Sequence, residues 1–209
     1  MRKLATVLIC LTAAAILAGC AKAPVQIKFY EPAITSPNQE IEVKNGQKFI
    51  GYKDKDYAVS ATMFGSQGII VVSLRIADLT GKDLPAAEYS IELADGRDHK
   101  PLKLISREVV MEYRKKLSTG QEIKTGNGML DLALTQFSGI IQSMGNTELS
   151  EFLKSVDWAV DHYFAFRTIY VNEPREGVLC YYADFILEYP LTLRIKLRQK
   201  QIDLQFKPY

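Results

Sequence analysis

The sequence predicts a mainly β protein, an antiparallel sandwich interrupted by a helical insertion at about residues 105–165. Three observations carry this. Short apolar/polar alternations recur with turn residues every ten positions or so, the spacing of consecutive antiparallel strands. Between about 105 and 165 the apolar period lengthens to three and four, which is helical. After Phe166 the two-residue period returns.

The elements follow in order. Val25, Ile27 and Phe29 alternate with Gln26, Lys28 and Tyr30 as a possible first strand, and Pro32, Pro37 and Asn38 then break regularity. If 25–30 pairs in a sheet, the body begins there; if not, about twenty residues form a linker. Ile41 and Val43 lead into the turn pair Asn45-Gly46, and 48–52 returns. Residues 56–64 place Tyr57, Val59, Ala61 and Met63 on one face. Residues 69–77 form the strongest β run, and its near-continuous apolar start predicts burial on both faces. After a loop at Thr80-Gly81-Lys82-Asp83, Tyr89, Ile91 and Leu93 alternate with polar neighbours, Asp95-Gly96 turns, and 101–104 makes a short return.

In the insertion, Ser106 is positioned to cap a helix carrying Val109, Val110, Tyr113 and Leu117, with Ile105 on the same spacing. Residues 118–128 read as an exposed loop. Leu130, Leu134, Phe137, Ile141 and Met144 give a second helical spacing, weakened by Gly139. A third helix is the clearest: Leu149, Phe152, Leu153, Val156, Val160, Tyr163 and Phe164 form its apolar stripe, with Glu148, Glu151, Lys154, Asp157 and Asp161 opposite.

The tail holds a short run at 168–171, a turn through Asn172-Glu173-Pro174 ended by Gly177, and a strand over 178–187. Two further strands carry Leu191, Leu193, Ile195, Leu197 and then Ile202, Leu204, Phe206. Thr192, Arg194, Lys196 and Arg198 give this last hairpin a basic outer face, suited to an edge that must resist stray pairing or, as the alternative, to lipid headgroups. About eight short strands with these turns suggest an immunoglobulin-like (Ig-like) or related antiparallel sandwich. The positions Pro174, Gly177, Tyr181, Pro190 and Phe206 also resemble the tail of uncharacterised bacterial Ig-like lipoproteins. That resemblance covers about 40 residues and implies a fold, not an activity.

The amino terminus carries a different signal. Met1-Arg2-Lys3 is cationic, and residues 4–18 are apolar except for Thr6 and Thr12. This is the pattern of a secretory signal, too short to span a bilayer comfortably. Leu17-Ala18-Gly19 runs directly into Cys20, and the segment resembles a bacterial lipoprotein signal of the signal-peptidase-II type. The resemblance implies cleavage between Gly19 and Cys20, a diacylglyceryl thioether on Cys20 and acylation of the new amino terminus. One chain binds membranes only marginally, whereas two or three hold a protein durably. Ala21, rather than Asp, implies outer-membrane sorting, facing the periplasm, if the cell has two membranes. The implied organisation is a signal peptide at 1–19, a lipid anchor and tether at 20–39, and one domain at 40–209 containing the insertion.

Composition narrows the function classes. The chain has 26 basic and 24 acidic residues, and loss of Arg2 and Lys3 with the signal leaves the two counts equal. Nothing favours nucleic acid as a partner. Of three cysteines, Cys10 leaves with the signal and Cys20 carries lipid, so Cys180 has no disulfide partner; its apolar strand-like setting predicts a buried, inert thiol. A metal site needs convergent ligands. His99 lies in a turn, and His162 is offset by about 100° from Asp161 on the third helix, so no metal or other cofactor is expected. Gly65-Ser66-Gln67-Gly68 lacks nucleophile-elbow spacing, and Thr125-Gly126-Asn127-Gly128 is followed by no phosphate-loop lysine. No catalytic residue is assigned.

Residues 132–147 contain no charge and include Phe137, Ile140, Ile141 and Met144. They either pack into the core junction or expose an apolar surface to a partner, a lipid or a second copy. The leading expectation is a lipid-anchored envelope protein, attached to the membrane through acyl chains on Cys20, that acts as a binding or assembly module for an envelope protein partner. The alternative is a periplasmic carrier of a hydrophobic ligand held between sandwich and helices. An envelope enzyme is the third reading.

Overall fold

The computed structural model describes residues 28–44, 46–66, 69–119, 157–183 and 189–208. It is mainly β and antiparallel throughout its named strands. These are β1 (Lys28–Ala33), β2 (Gln39–Lys44), β3 (Gln47–Lys53), β4 (Tyr57–Ser66), β5 (Ile69–Asp78), β6 (Tyr89–Asp95), β7 (Lys103–Ile105), β8 (Arg175–Tyr182), β9 (Leu191–Leu197) and β10 (Lys200–Pro208). One α-helix, α1 (Arg107–Thr119), follows β7.

Eight strands run in the order β6-β9-β10-β1-β4-β5-β8-β7, and β3 joins β4 with β2 outside it. The two ends of this path nearly meet. Pro101 bridges Ala94, and the Leu102 N–H donates to the Leu93 carbonyl at 2.7 Å, just before the chain enters β7. The result is a nearly closed, barrel-like sheet. A ring removes the exposed edges that a twisted open sheet leaves.

β1 is the hinge of the ring. Its start pairs with β4 (Phe29 opposite Phe64), and its remainder pairs with β10 (Pro32 opposite Phe206). Lys28–Ala33 therefore belongs to the body, which begins well before residue 40, and Pro32 lies within a strand instead of breaking one. Strand periodicity puts one face inward: Tyr57, Val59, Ala61 and Met63 of β4 are all buried, as their spacing predicted. Tyr30, Leu74, Leu179, Tyr181, Leu193 and Phe206 fill the interior at 4% exposure or less, the ordinary state of an eight-stranded barrel.

Where β6 diverges from β8, residues 162–171 fill the gap. The Phe164 N–H donates to the Val178 carbonyl at 2.9 Å, and Leu84 and Ile169 exchange backbone hydrogen bonds at 2.9 Å. Phe164 is fully buried, edge-on to Tyr89, a burial that contributes on the order of 3 kcal/mol.

Several expectations change. The last two strands are no edge hairpin: β9 pairs with β6 and β10 with β1. Gly177 lies inside β8, not at a turn. Ile169 makes one isolated bridge in place of a strand over 168–171. The helical insertion is smaller where it is described. Ile105 ends β7, α1 covers 107–119, and residues 157–161 are helical, while Tyr163 and Phe164 run extended beside β8. An apolar stripe at helical spacing and a strand-side residue look alike when both must be buried. The proposed second helix, and the residues Phe137, Ile140, Ile141 and Met144, lie outside the described residues, as do Gly19 and Cys20.

Candidate functional site

The outward residues of β5 and β8 would leave an apolar face in water. Ile69, Val71, Val178, Cys180 and Tyr182 instead pack with Val109, Val110, Val160 and Tyr163 in a second small cluster. This explains the near-continuous apolar start of β5, one of whose faces is fully buried and the other half-covered. Ser106 caps α1 as its position predicted, its Oγ accepting from the Val109 N–H at 3.4 Å. The Glu108 carboxyl is held below its usual range by its own backbone N–H and the Ser106 hydroxyl.

α1 is tied to residues 157–161 at two points. Arg107 Nε donates to the Val160 carbonyl at 3.2 Å, and Arg114 makes a two-point ion pair with Asp157. Tyr163 Oη donates to the Ile105 carbonyl at 2.6 Å. Arg107, Met111 and Arg114 share a helix face by their spacing, so Met111 lies between the two ties. It is 44% exposed, and Trp158, the chain's single tryptophan, is 45% exposed. The His162 ring stacks on Trp158 at 4.9 Å, with its Nδ1 2.8 Å from the Trp158 carbonyl oxygen. The flank thus holds two large apolar side chains half in water on a braced frame.

Asp157 is engaged by Arg114, and His162 belongs to Trp158, so the two do not converge. His99 is exposed in a turn with φ 57°. Among the described residues, no group of three or more His, Cys, Asp or Glu could hold a metal ion. Cys180 is buried and free, and burial pushes its thiol up to about 12, which removes the thiolate a nucleophile needs.

A polar cluster that sequence reasoning missed closes one end of the barrel. Arg198, at φ 52° in the β9–β10 turn, donates to Asp78 Oδ2 at 2.9 Å, Glu88 Oε2 at 2.9 Å, the Tyr57 hydroxyl at 3.2 Å and the Asp83 carbonyl at 2.9 Å. The Asp78 side chain is fully buried, and its Oδ1 accepts from Thr80 N and Oγ1. Beside it Lys200 pairs with Asp54, which also accepts from Tyr52 Oη at 2.8 Å. Arg198 reads in sequence as one more basic residue of an alternating strand, and only the turn geometry swings it inward. Its charges are compensated, so the cluster is a clamp.

A second surface is the free side of β2. Among the described residues β2 pairs only with β3. Residues 40–44 are all exposed, with Ile41 at 39% and Val43 at 66%.

The described residues define a nearly closed antiparallel β-barrel-like body with a braced helical flank. No family model, no curated protein and no solved structure matches the chain.

Proposed function

We propose that this chain is a lipid-anchored envelope protein that serves as a binding or assembly module. The observation that carries the proposal is the braced flank with Trp158 and Met111 half-exposed. Tryptophan is enriched among residues that dominate interface energetics, and a frame tied by Arg107 and Arg114 lowers the cost of ordering on binding. The flank also adjoins the chain segment that contains the uncharged 132–147 stretch, with Phe137, Ile140, Ile141 and Met144. The partner is an envelope protein.

Support for the anchor is the Leu17-Ala18-Gly19-Cys20 box behind a cationic, apolar leader. Cleavage before Cys20 leaves the body tethered by the residues up to Lys28, a reach of roughly 29 Å at full extension. The acyl chains face the periplasmic leaflet of the outer membrane if the cell has two membranes. For fold type, we read the ring as a flattened, Ig-like sandwich. The support is its division into two ladders, β6-β9-β10 and β2-β3-β4-β5-β8-β7, with β1 shared between them. The carrier alternative places its ligand between the sandwich and the insertion, most of which lies outside the described residues, and the proposal assigns no catalysis.

The test uses the full chain in its own envelope, with a photo-crosslinking residue at Trp158. A discrete adduct with another envelope protein is expected, reduced by Met111→Ala. No adduct, or one unchanged by that substitution, would overturn the binding reading. The anchor is tested separately: labelled fatty acid should enter the wild-type chain and not Cys20→Ala, and equal labelling would remove it.

A further inference from the structure

We propose that a second copy of this chain pairs with the free edge of β2, strand to strand and antiparallel, across a two-fold axis at Glu42. The argument starts from which backbone groups face outward. The Lys53 N–H donates to the Asn38 carbonyl at 3.0 Å. Strand alternation then turns the groups of Glu40, Glu42 and Lys44 toward β3, and those of Ile41 and Val43 toward the free side. Gln39 also faces outward, but its N–H already donates to the Ser36 carbonyl at 3.1 Å and its side chain to the Asp203 carbonyl at 2.8 Å. The available donors and acceptors of the strand are therefore those of Ile41 and Val43.

An antiparallel pair across a two-fold must place same-face residues opposite each other, which restricts the axis to one residue of β2. With Glu42 on the axis, Ile41 faces Val43 twice, and both residues on both copies make their ladder bonds. Glu40 then faces Lys44 twice, a complementary pair on each side. One like-charge contact remains, Glu42 against its copy, and Lys44, which pairs with Glu42 of its own strand, is the cation that Glu42 shares with Glu40 of the copy. With Ile41 on the axis, Glu40 faces Glu42 twice and the occupied Gln39 must pair. With Val43 on the axis, Glu42 faces Lys44 twice, but the pairing runs past Lys44 and leaves Ile41 without a strand partner, so half of the available ladder bonds are lost. Hydrogen-bond availability thus selects Glu42 as the axis, and charge prefers it to Ile41.

The β2–β3 hairpin has room for this pairing. β3 meets β4 only through Ile50–Lys53, and β1 pairs with β4 at Phe64 and Gly65, so the outer part of the hairpin leaves the β4 ladder. A short edge contact binds weakly alone, so it is read by covalent trapping. The pairing belongs to the folded body and rests on neither the anchor nor the Trp158 flank.

The experiment places single cysteines at Ile41, Glu42 and Val43 in the full chain and oxidises mildly, with the unsubstituted chain as the background control. Cα atoms of a non-hydrogen-bonded pair lie about 4.5 Å apart, within disulfide reach, whereas residues one position off the axis stand two positions from their own copy and fall beyond about 7 Å. Glu42→Cys should crosslink to a second copy, and Ile41→Cys and Val43→Cys should not. In the Glu42→Cys chain, Lys44→Glu or Glu40→Lys should each reduce crosslinking roughly tenfold, and the two together should restore it. Trp158→Ala should leave it unchanged. Thermal unfolding equal to the parent's shows that these exposed substitutions keep the fold. Strongest crosslinking at 41 or 43, none at 42, capture of a different protein, or failure of the double charge swap to restore dimer would overturn the proposal.

Discussion

Gly177 lies in the middle of β8 where residues 162–164 cross against the strand. A Cβ there would stand 2.6 Å from Phe164 Cα and 2.9 Å from the His162 carbonyl oxygen, and backbone on both sides leaves nothing flexible to yield. Gly177→Ala should destabilise by about 3 kcal/mol, the upper part of the overpacking range, read as a fall in the thermal midpoint. Gly51→Ala is the control: its nearest neighbour is Glu40 Cγ at 3.5 Å, ordinary contact, and its midpoint should barely move. Asp95 is the second informative residue. Its carboxylate accepts from Arg97 Nη2 at 2.7 Å and from the Arg97 N–H at 2.8 Å, and the Arg97 side chain holds its pKa below the usual range against the opposing effect of burial. A folded pKa below the unfolded one contributes stability that is full above about pH 4 and is lost as pH falls through the folded value. Asp95→Asn should therefore be less stable than wild type at pH 7, and urea unfolding should show the gap closing below about pH 4. A gap independent of pH would refute this account of Asp95.

At the scale of elements, the β9–β10 turn acts through Arg198. Its guanidinium joins the end of β5 at Asp78, the residue before β6 at Glu88, and the start of β4 at Tyr57. Arg198→Asn keeps a residue that tolerates the left-handed turn and deletes the clamp. It leaves the buried Asp78 charge without its cation, at a cost of roughly 2–3 kcal/mol after allowing for the partial exposure of Arg198. In an Asp78→Asn background the same change should cost clearly less. Chemical denaturation of the four proteins measures the difference, and simple additivity would show that the clamp is not a coupled unit. The helical flank follows a similar rule. α1 alone is a polar helix, and it stays in place because Val109 and Val110 cover the outer face of β5 and β8.

For the whole molecule, β1 decides whether the barrel is a ring. It is the sole link between β10 and β4 in the strand order, so deletion of Lys28–Ala33 opens two edges and exposes Tyr30's neighbours in the core. The deleted protein should lose its cooperative thermal transition and aggregate. A retained sharp transition would mean that the two ladders hold together through core packing alone.

Local pattern alone determined the β class, the faces of β4, β6, β9 and β10, the Ser106 cap and the buried state of Cys180. These are local matters: alternation records which face is dry, and turn and cap chemistry act within a few residues. The Leu17-Ala18-Gly19-Cys20 stretch, outside the described residues, is likewise a local pattern. The tertiary structure decided the rest. Closure through β1 and Pro101, the inward swing of Arg198, the need for Gly177 and the extended path of Tyr163 and Phe164 all depend on partners 7 to 178 residues away in the chain. The free edge of β2 is of this kind too. Its alternation of Ile41 and Val43 with charges reads as an ordinary half-buried strand, and only the placement of every other strand leaves that side without a neighbour among the described residues. An alternating pattern encodes which face turns inward, not which strand lies beside it, because the hydrogen bonds that join strands come from backbone that every residue shares.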